Sequence, residues 1–151
     1  MGSPEGLTTN CMAALLVDTW GWLALRDKGD ARHREAVAAF EQELRAGKVV
    51  TTDFVLDETF TLLFRRLPAQ KARESVEFLM QAVEAGSVML VPISAPRFRE
   101  AVKLRLKFRD KPEISFTDFT SMVAMRELAV KRILTEDRHF VQTGLGLERV
   151  P

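Results

Sequence analysis

Short apolar runs alternate with longer amphipathic segments along most of this chain, and the alternation limits the folds open to it. We predict strands at the apolar runs and helices where apolar residues recur every three or four positions. The predicted strands are 13–17, 48–51, 88–91, 132–135 and a weaker one at 147–150, and the predicted helices are 19–26, 31–46, 54–66, 69–85, 95–108 and 117–130. Strands separated by helices pair in parallel through right-handed crossovers. The sequence therefore predicts an α/β fold, a three-layer sandwich with a central, mostly parallel sheet of about five strands flanked by helices.

Length and composition favour one domain in a reducing compartment. A chain of 151 residues, 46% of them hydrophobic, can build one substantial core, so we predict a single domain over 12–151. Residues 1–11 are polar and are predicted to form a flexible tail, with Gly2-Ser3 equally compatible with a cloning remnant. The lone Cys11 cannot form an internal disulfide, and the apolar run that follows it is too short to span a bilayer. We expect a cytoplasmic protein without a membrane segment.

Four acidic residues stand at positions where a surface charge would be unusual. Asp18 closes an apolar run, Asp137 follows another, Glu58 has Phe54, Val55 and Leu62 as helical neighbours, and Asp118 opens a helix. In doubly wound folds the ligand site lies at the carboxyl ends of the strands. Asp18 and Asp137 meet at that edge in the predicted fold, and nearby helices can bring Glu58 and Asp118 to it.

Four carboxylates in one place need a cation. Two like charges about 4 Å apart repel by roughly 4 kcal/mol at an effective dielectric near 20, so a bare cluster would hold protons. Oxygen ligands suit Mg²⁺ or Mn²⁺, whereas zinc usually binds cysteine and histidine. The chain has one cysteine and two histidines, so a zinc site is not expected. The net charge is +1, but setting the four acids aside leaves 17 acids against 22 bases, so the remaining surface tolerates a phosphodiester. Near-balanced charge also simply keeps a globule soluble.

Each acid also has a structural interpretation. Asp18 can cap the helix that begins near Thr19. Ser115-Phe-Thr-Asp118 has the form of a capping box, although the positive end of a helix would also keep Asp118 ionised for a metal. Asp137 can initiate a turn, and its neighbour Glu136 competes for the same role. Thr135 can orient whichever carboxylate is used.

Several other polar and aromatic residues are given structural interpretations. His33 and His139 are far apart in sequence and lack metal-ligand spacing, so both are expected to be structural or surface residues. Trp20 and Trp22 are expected to pack the first helix rather than stack on bases. A set of basic residues is left unassigned, since charge runs are usually solvated: Arg65, Arg66, Lys107, Arg109 and Lys111.

Taken together, these motifs resemble the PIN-domain ribonucleases, especially the toxins of VapBC-type toxin-antitoxin modules. The resemblance spans nearly everything after the tail. It rests on the order and spacing of four motifs: Leu16-Val-Asp18-Thr19, Thr51-Thr-Asp-Phe-Val-Leu-Asp-Glu58, Ser115-Phe-Thr-Asp118 and Thr135-Glu-Asp-Arg-His-Phe140.

The resemblance implies a function and its residues. Asp18, Glu58, Asp118 and Asp137 would form the acidic metal-binding quartet, and Thr135 matches a supporting hydroxyl position. Mg²⁺ or Mn²⁺ would activate water for attack on an RNA phosphodiester. The resemblance also implies a homodimer and a small antitoxin whose peptide blocks the active site.

Two other function classes compete with the nuclease. A PIN-like module that binds RNA or protein without cutting would need no intact ligand set. A receiver-type phosphoacceptor or a haloacid-dehalogenase-like phosphatase shares the aspartate at a strand end. The phosphatase pattern wants a second aspartate two residues later, where this chain has Trp20.

Overall fold

The three-layer sandwich predicted from the sequence is confirmed. A computed structural model describes residues 14–151, so the predicted tail and residue 13 of the first predicted strand lie outside the described residues. The strands are β1 (Leu15–Val17), β2 (Val49–Thr52), β3 (Val88–Val91), β4 (Arg132–Leu134) and β5 (Glu148–Val150). They form one sheet in the order β3-β2-β1-β4-β5, and every pairing is parallel.

Six longer helices and one short helix connect the strands. They are α1 (Thr19–Arg26), α2 (His33–Arg45), α3 (Asp53–Arg66), α4 (Ala69–Glu84), α5 (Ala95–Lys107), α6 (Phe116–Leu128) and α7 (His139–Gln142). The sequence did not predict α7, because four residues are too few to show a helical period. Gly47 and Gly86 follow α2 and α4 with φ angles of 69° and 79°, the left-handed conformation that ends helices and that glycine adopts without strain.

The sheet has one hydrophobic core on each face. Successive residues of a strand point to opposite faces. In β1, Leu16 packs with α5, α6 and α7, while Leu15 and Val17 pack with α1 to α4. All three residues of β1 are buried, whereas the edge strands β3 and β5 are partly exposed. Among the described residues, no helix is long and apolar enough to cross a membrane.

Helix α1 lies close against the sheet because it contains Gly21. A β-carbon at this position would lie 2.6 Å from the Leu134 carbonyl oxygen and 2.9 Å from Val17 Cγ1. The same helix places Trp22 in the core, where its Nε1–H donates to Thr51 Oγ1 at 3.1 Å. Close contact between α1 and the ends of β1 and β4 therefore fixes the residues that follow both strands.

Gly21→Ala should destabilise the protein by roughly 1–3 kcal/mol, the usual cost of overpacking. Within an unstrained helix the same exchange would stabilise by about 1 kcal/mol, so the sign of the change is diagnostic. Urea denaturation gives the free energy of unfolding, and Ala38→Gly on the exposed side of α2 serves as the propensity control. A stabilised Gly21→Ala variant would contradict the described packing.

Candidate metal centre

Asp18 lies at the carboxyl end of the central strand and is 6% exposed. Thr135, which follows the neighbouring strand β4, donates its hydroxyl hydrogen to Asp18 Oδ2 at 3.0 Å. Asp18 occupies the N-cap position of α1, but its side chain makes no cap hydrogen bond. The helix-cap interpretation of this side chain is therefore wrong, and the carboxylate faces its neighbours at the sheet edge instead.

Asp118 comes from the first turn of α6 and is 8% exposed. Its backbone N–H donates to Ser115 Oγ at 3.1 Å, and the Ser115 N–H donates to Asp118 Oδ2 at 3.3 Å. The capping box predicted from the sequence is thus confirmed. This cap fixes the carboxyl group at the amino end of a helix, where the partial positive charge favours an anion.

Asp137 lies in the loop after β4 and forms the turn predicted for it. Its backbone N–H donates to Thr135 Oγ1 at 3.1 Å, and its Oδ1 accepts from the His139 N–H at 2.8 Å. The Nδ1 atom of His139 also lies 2.7 Å from Asp137 Oδ1. Glu136, the competing acid, is exposed. Thr135 therefore connects Asp18 and Asp137 through a single hydroxyl group.

Glu58 lies on α3 and is exposed to solvent. Val55 beside it is buried, and Phe54 and Leu62 are half-buried. The side chain thus stands at the border of the apolar stripe rather than within it. The expectation that a surface charge would be unusual at this position is therefore wrong for Glu58.

All four acids line one cavity of about 300 Å³ at the carboxyl edge of the sheet. The remaining lining residues are Thr19, Trp20, Leu23, Leu62, Arg66, Glu113, Ser115, Thr135 and Glu136. A larger cavity of about 640 Å³ lies at the opposite, amino edge and is mainly apolar. Size alone therefore does not mark the functional site, whereas charge does.

Burial and mutual repulsion make two of these acids weak. Burial, followed by repulsion from Asp118, raises the pKa of Asp18 to about 7. Burial, followed by repulsion from Asp137, raises the pKa of Asp118 to about 6. Glu58 adds a smaller repulsion to both. A group of carboxyls with this property is stabilised by a divalent cation.

One ligand atom from each of Asp118, Asp137 and His139 lies within 4.8 Å of the other two. Within residues 14–151, Asp18 and Glu58 are not part of this group, although they share the cavity. His139 was assigned a structural role from the sequence. Its position two residues after Asp137 is the only signal that could have identified it. Carboxylate oxygens suit Mg²⁺ and Mn²⁺, and an imidazole nitrogen favours softer ions over Mg²⁺.

Thr19 also lies in the cavity and was not singled out from the sequence as a candidate. It is 6% exposed, and its Oγ1 has no hydrogen-bond partner among the described residues. A buried hydroxyl without a partner is uncommon and calls for an explanation such as a bound ligand or water.

The chain is similar in sequence to proteins of known family. The sequence model of the PIN domain matches residues 15–145. The 23S rRNA-specific endonuclease VapC20 of Mycobacterium tuberculosis is 33% identical over 133 residues, covering 86% of this chain and 94% of that protein. The VapC ribonuclease of Archaeoglobus fulgidus is 29% identical over 133 residues, covering 86% of this chain and 81% of that protein.

Solved structures show the same fold. The crystal structure of M. tuberculosis VapC20, described as a Sarcin-Ricin loop cleaving toxin, superimposes with a TM-score of 0.69 at 32% identity and covers 87% of this chain and 95% of that one. FitAcB from Neisseria gonorrhoeae gives a TM-score of 0.63 at 15% identity, covering 91% and 96% of the two chains. The FitAcB likeness concerns the fold alone.

The raised pKa values predict how metal-free stability depends on pH. In the unfolded chain both carboxyls titrate near the ordinary value of 3.8, but folded Asp18 and Asp118 hold their protons to about pH 7 and 6. Between the unfolded pKa of 3.8 and these folded values, the unfolded chain binds fewer protons than the folded chain. The contribution of this pair to the free energy of unfolding therefore falls as pH rises. Melting temperatures in chelator at pH 5 and pH 8 measure the effect.

The Asp18→Asn and Asp118→Asn double variant should lose this part of the pH dependence and melt higher than wild type at pH 8 without metal. The asparagine at 118 can still accept from the Ser115 N–H. A double variant that melts lower than wild type at pH 8 would argue against strong repulsion in the folded cavity.

Proposed function

This chain belongs to the PIN domain family, and from that premise we propose that it is a divalent-metal-dependent endoribonuclease that acts as the toxin of a toxin-antitoxin pair. Two relatives named as VapC ribonucleases, each aligned over 86% of this chain, support the proposal. The observation that carries it is the single cavity lined by Asp18, Glu58, Asp118 and Asp137, which come from four separate parts of the sequence.

In this proposal the four carboxylates hold Mg²⁺ or Mn²⁺, and His139 is a further candidate ligand. The donor set fits such an ion, since three donors already lie within 4.8 Å of one another and burial and repulsion raise the pKa of Asp18 and Asp118, a cost that a bound cation would offset. When bound, the ion supplies Lewis-acid polarisation of the phosphate and a lowered pKa for water.

The protein's own residues set the geometry of that centre. Thr135 donates to Asp18 and accepts from the Asp137 backbone N–H, so it holds the ends of two segments together. The capping box fixes Asp118, and the turn to His139 fixes Asp137. Glu58 has the most exposed of these carboxyls, so it stands at the solvent side where substrate and water enter.

The first RNA to test is 23S rRNA. VapC20 is named for its specificity towards this RNA and for cleaving the sarcin-ricin loop, and it is the relative at 33% identity. We extend that substrate to this chain as part of the proposal. Action on ribosomal RNA also fits the cytoplasmic location expected from the sequence.

Purified protein should cut a labelled sarcin-ricin loop RNA in Mg²⁺ or Mn²⁺ and stop when a chelator is added. Asp118→Asn and Glu58→Gln should each lower the cleavage rate by at least about 100-fold, since each removes charge that positions the ion. The matched control is Asp57→Asn, an exposed carboxylate next to Glu58 on α3, which should cut like wild type.

Wild-type cleavage that survives both substitutions would refute the proposed site. Tight RNA binding without turnover across metals and substrates would instead favour the alternative, a PIN-like module that binds RNA or protein without catalysis.

We also propose that the chain forms a homodimer through α5. Phe98, Val102 and Leu106 recur every four residues along this helix and are 44%, 36% and 62% exposed. The ring of Phe98 packs edge-to-face against Phe54 at 6.3 Å and Phe116 at 5.1 Å. Contiguous exposed apolar groups of this kind are typical of an interface, and a two-fold contact pairs the same patch on both copies.

The antitoxin is the second proposed partner. A peptide that blocks a cavity lined by six acidic side chains must carry cationic groups, and Arg is the residue best suited to pair with carboxylates. Such a peptide would compete with the metal and the RNA for the same carboxylates.

Replacing Phe98 and Leu106 by Glu should weaken the dimer by about 100-fold or more, because each large apolar side chain contributes roughly 1.5–3 kcal/mol when buried. Light scattering after size exclusion measures the mass. Val141→Glu, at another exposed apolar residue on α7, is the control and should stay dimeric. A wild-type monomer, or a dimer unaffected by the double change, would contradict the assignment of this face.

A further inference from the structure

The acidic cavity has a second wall that carries different chemistry. Besides the carboxylates it is lined by Trp20 and Leu23 from α1 and by Leu62 and Arg66 from α3. Trp20 and Leu23 are three residues apart, and Leu62 and Arg66 are four apart, so each pair lies on one side of its helix. The wall is thus built by two adjacent helices and combines an aromatic ring, two aliphatic groups and a guanidinium.

The two tryptophans of α1 differ in their surroundings. Trp22 is fully buried with its N–H bonded to Thr51, so the structural role predicted for it is confirmed. Trp20 is only half-buried, packs partly against the core and lines the cavity. The guanidinium of Arg32 lies 5.7 Å from the centre of the Trp20 ring. This cation-π contact orients the indole before any ligand arrives.

Arg66 is the one basic side chain among the described residues that line the cavity. It is exposed and makes no salt bridge with any described carboxylate, although six acidic residues share the cavity with it. A guanidinium that is near several carboxylates but paired with none is available for an incoming anion. A phosphate matches its planar set of donors.

We propose that this second wall is a nucleotide subsite, in which the base next to the scissile phosphate stacks on Trp20 and a neighbouring phosphate is bound by Arg66. Leu23 and Leu62 would contact the sugar. The subsite rests on the proposed nuclease function and extends it, since it names the groups that bind the RNA rather than the ion.

The dimensions and chemistry favour a single nucleotide over other ligands. The cavity of about 300 Å³ is at the lower end of the range for ligand pockets, which suits one splayed-out nucleotide rather than a duplex. Base-aromatic stacking tolerates any base, and sequence-specific RNA recognition commonly uses unstacked bases held on aromatic side chains. A phosphate on Arg66 would be paired with the one basic side chain that the described part of the chain contributes to the cavity.

The test measures whether Trp20 stacks on one particular base of the RNA. The substrate is a labelled hairpin with the sarcin-ricin loop sequence, prepared intact and with single abasic nucleotides around the cleavage position. Trp20→Ala should raise KM on intact RNA roughly ten-fold, the scale of one stacked base, with kcat changed far less. Trp20→Phe should retain most of the affinity.

One abasic position should raise the wild-type KM by a similar factor and have no further effect in Trp20→Ala. Arg66→Gln should raise KM and lower the salt dependence of binding by about one phosphate contact, and Arg66→Lys should preserve that dependence. The matched controls are Phe78→Ala, an aromatic residue outside the cavity that also has a guanidinium over its ring, and Arg65→Gln. Both should behave like wild type.

If the abasic change and Trp20→Ala raise KM independently, so that their fold-changes multiply at every position, the subsite is overturned. A Trp20→Ala variant with unchanged KM would overturn it as well. If wild type does not cut in any metal, the nuclease proposal fails. The subsite is then tested by binding: one abasic position should raise the dissociation constant for wild type and have no further effect in Trp20→Ala. An absence of RNA binding overturns it. A Trp20→Ala variant that binds RNA normally but resists inhibition by the antitoxin would assign the wall to protein docking and overturn the RNA subsite.

Discussion

The parallel pairing of β1 and β4 is the constraint from which the site follows. Val17 lies opposite Leu134 in the register, so the next residues, Asp18 and Thr135, emerge side by side at the carboxyl edge. Their hydrogen bond, 3.0 Å long, joins residues 117 positions apart in sequence. A one-residue slip in this register would turn one of the two side chains to the other face of the sheet. Gly21 supports the arrangement by letting α1 lie close to both strand ends.

The same edge concentrates negative charge at a cost to the folded state. Asp18 and Asp118 are buried and repel their neighbours, which is why their pKa values are raised. The fold lowers part of this cost locally, through the Ser115 cap on Asp118 and the Thr135 hydroxyl on Asp18. A bound cation would remove much of the rest. The energetic cost of placing these carboxylates together and the proposed affinity of the cavity for metal therefore have one origin, the repulsion between buried charges.

Much of the fold could be predicted from the sequence, because strand and helix patterns alternate cleanly and allow few topologies. The position of Asp18 could be predicted too, since a residue that ends a buried strand must emerge at a sheet edge. The exposure of Glu58 could not, because helical neighbours define a face but not what covers it. His139 was given a structural role because no second histidine stands at metal-ligand spacing from it, and only the fold brings it near Asp118 as well as Asp137. The cavity wall at Trp20 and Arg66 depends on how α1 packs against α3, and that contact has no sequence signature.

The central claim is that these carboxylates form one cation-binding centre, and calorimetric titration with Mn²⁺ tests it most directly. At pH 6.5, in two buffers that differ in ionisation enthalpy, wild type should bind Mn²⁺ and release protons, because Asp18 and Asp118 are partly protonated there. Proton release should shrink at pH 8.5, Asp118→Asn should bind far more weakly, and Asp57→Asn should match wild type. Binding that is equally tight in Asp118→Asn, or that releases no protons at pH 6.5, would contradict the account.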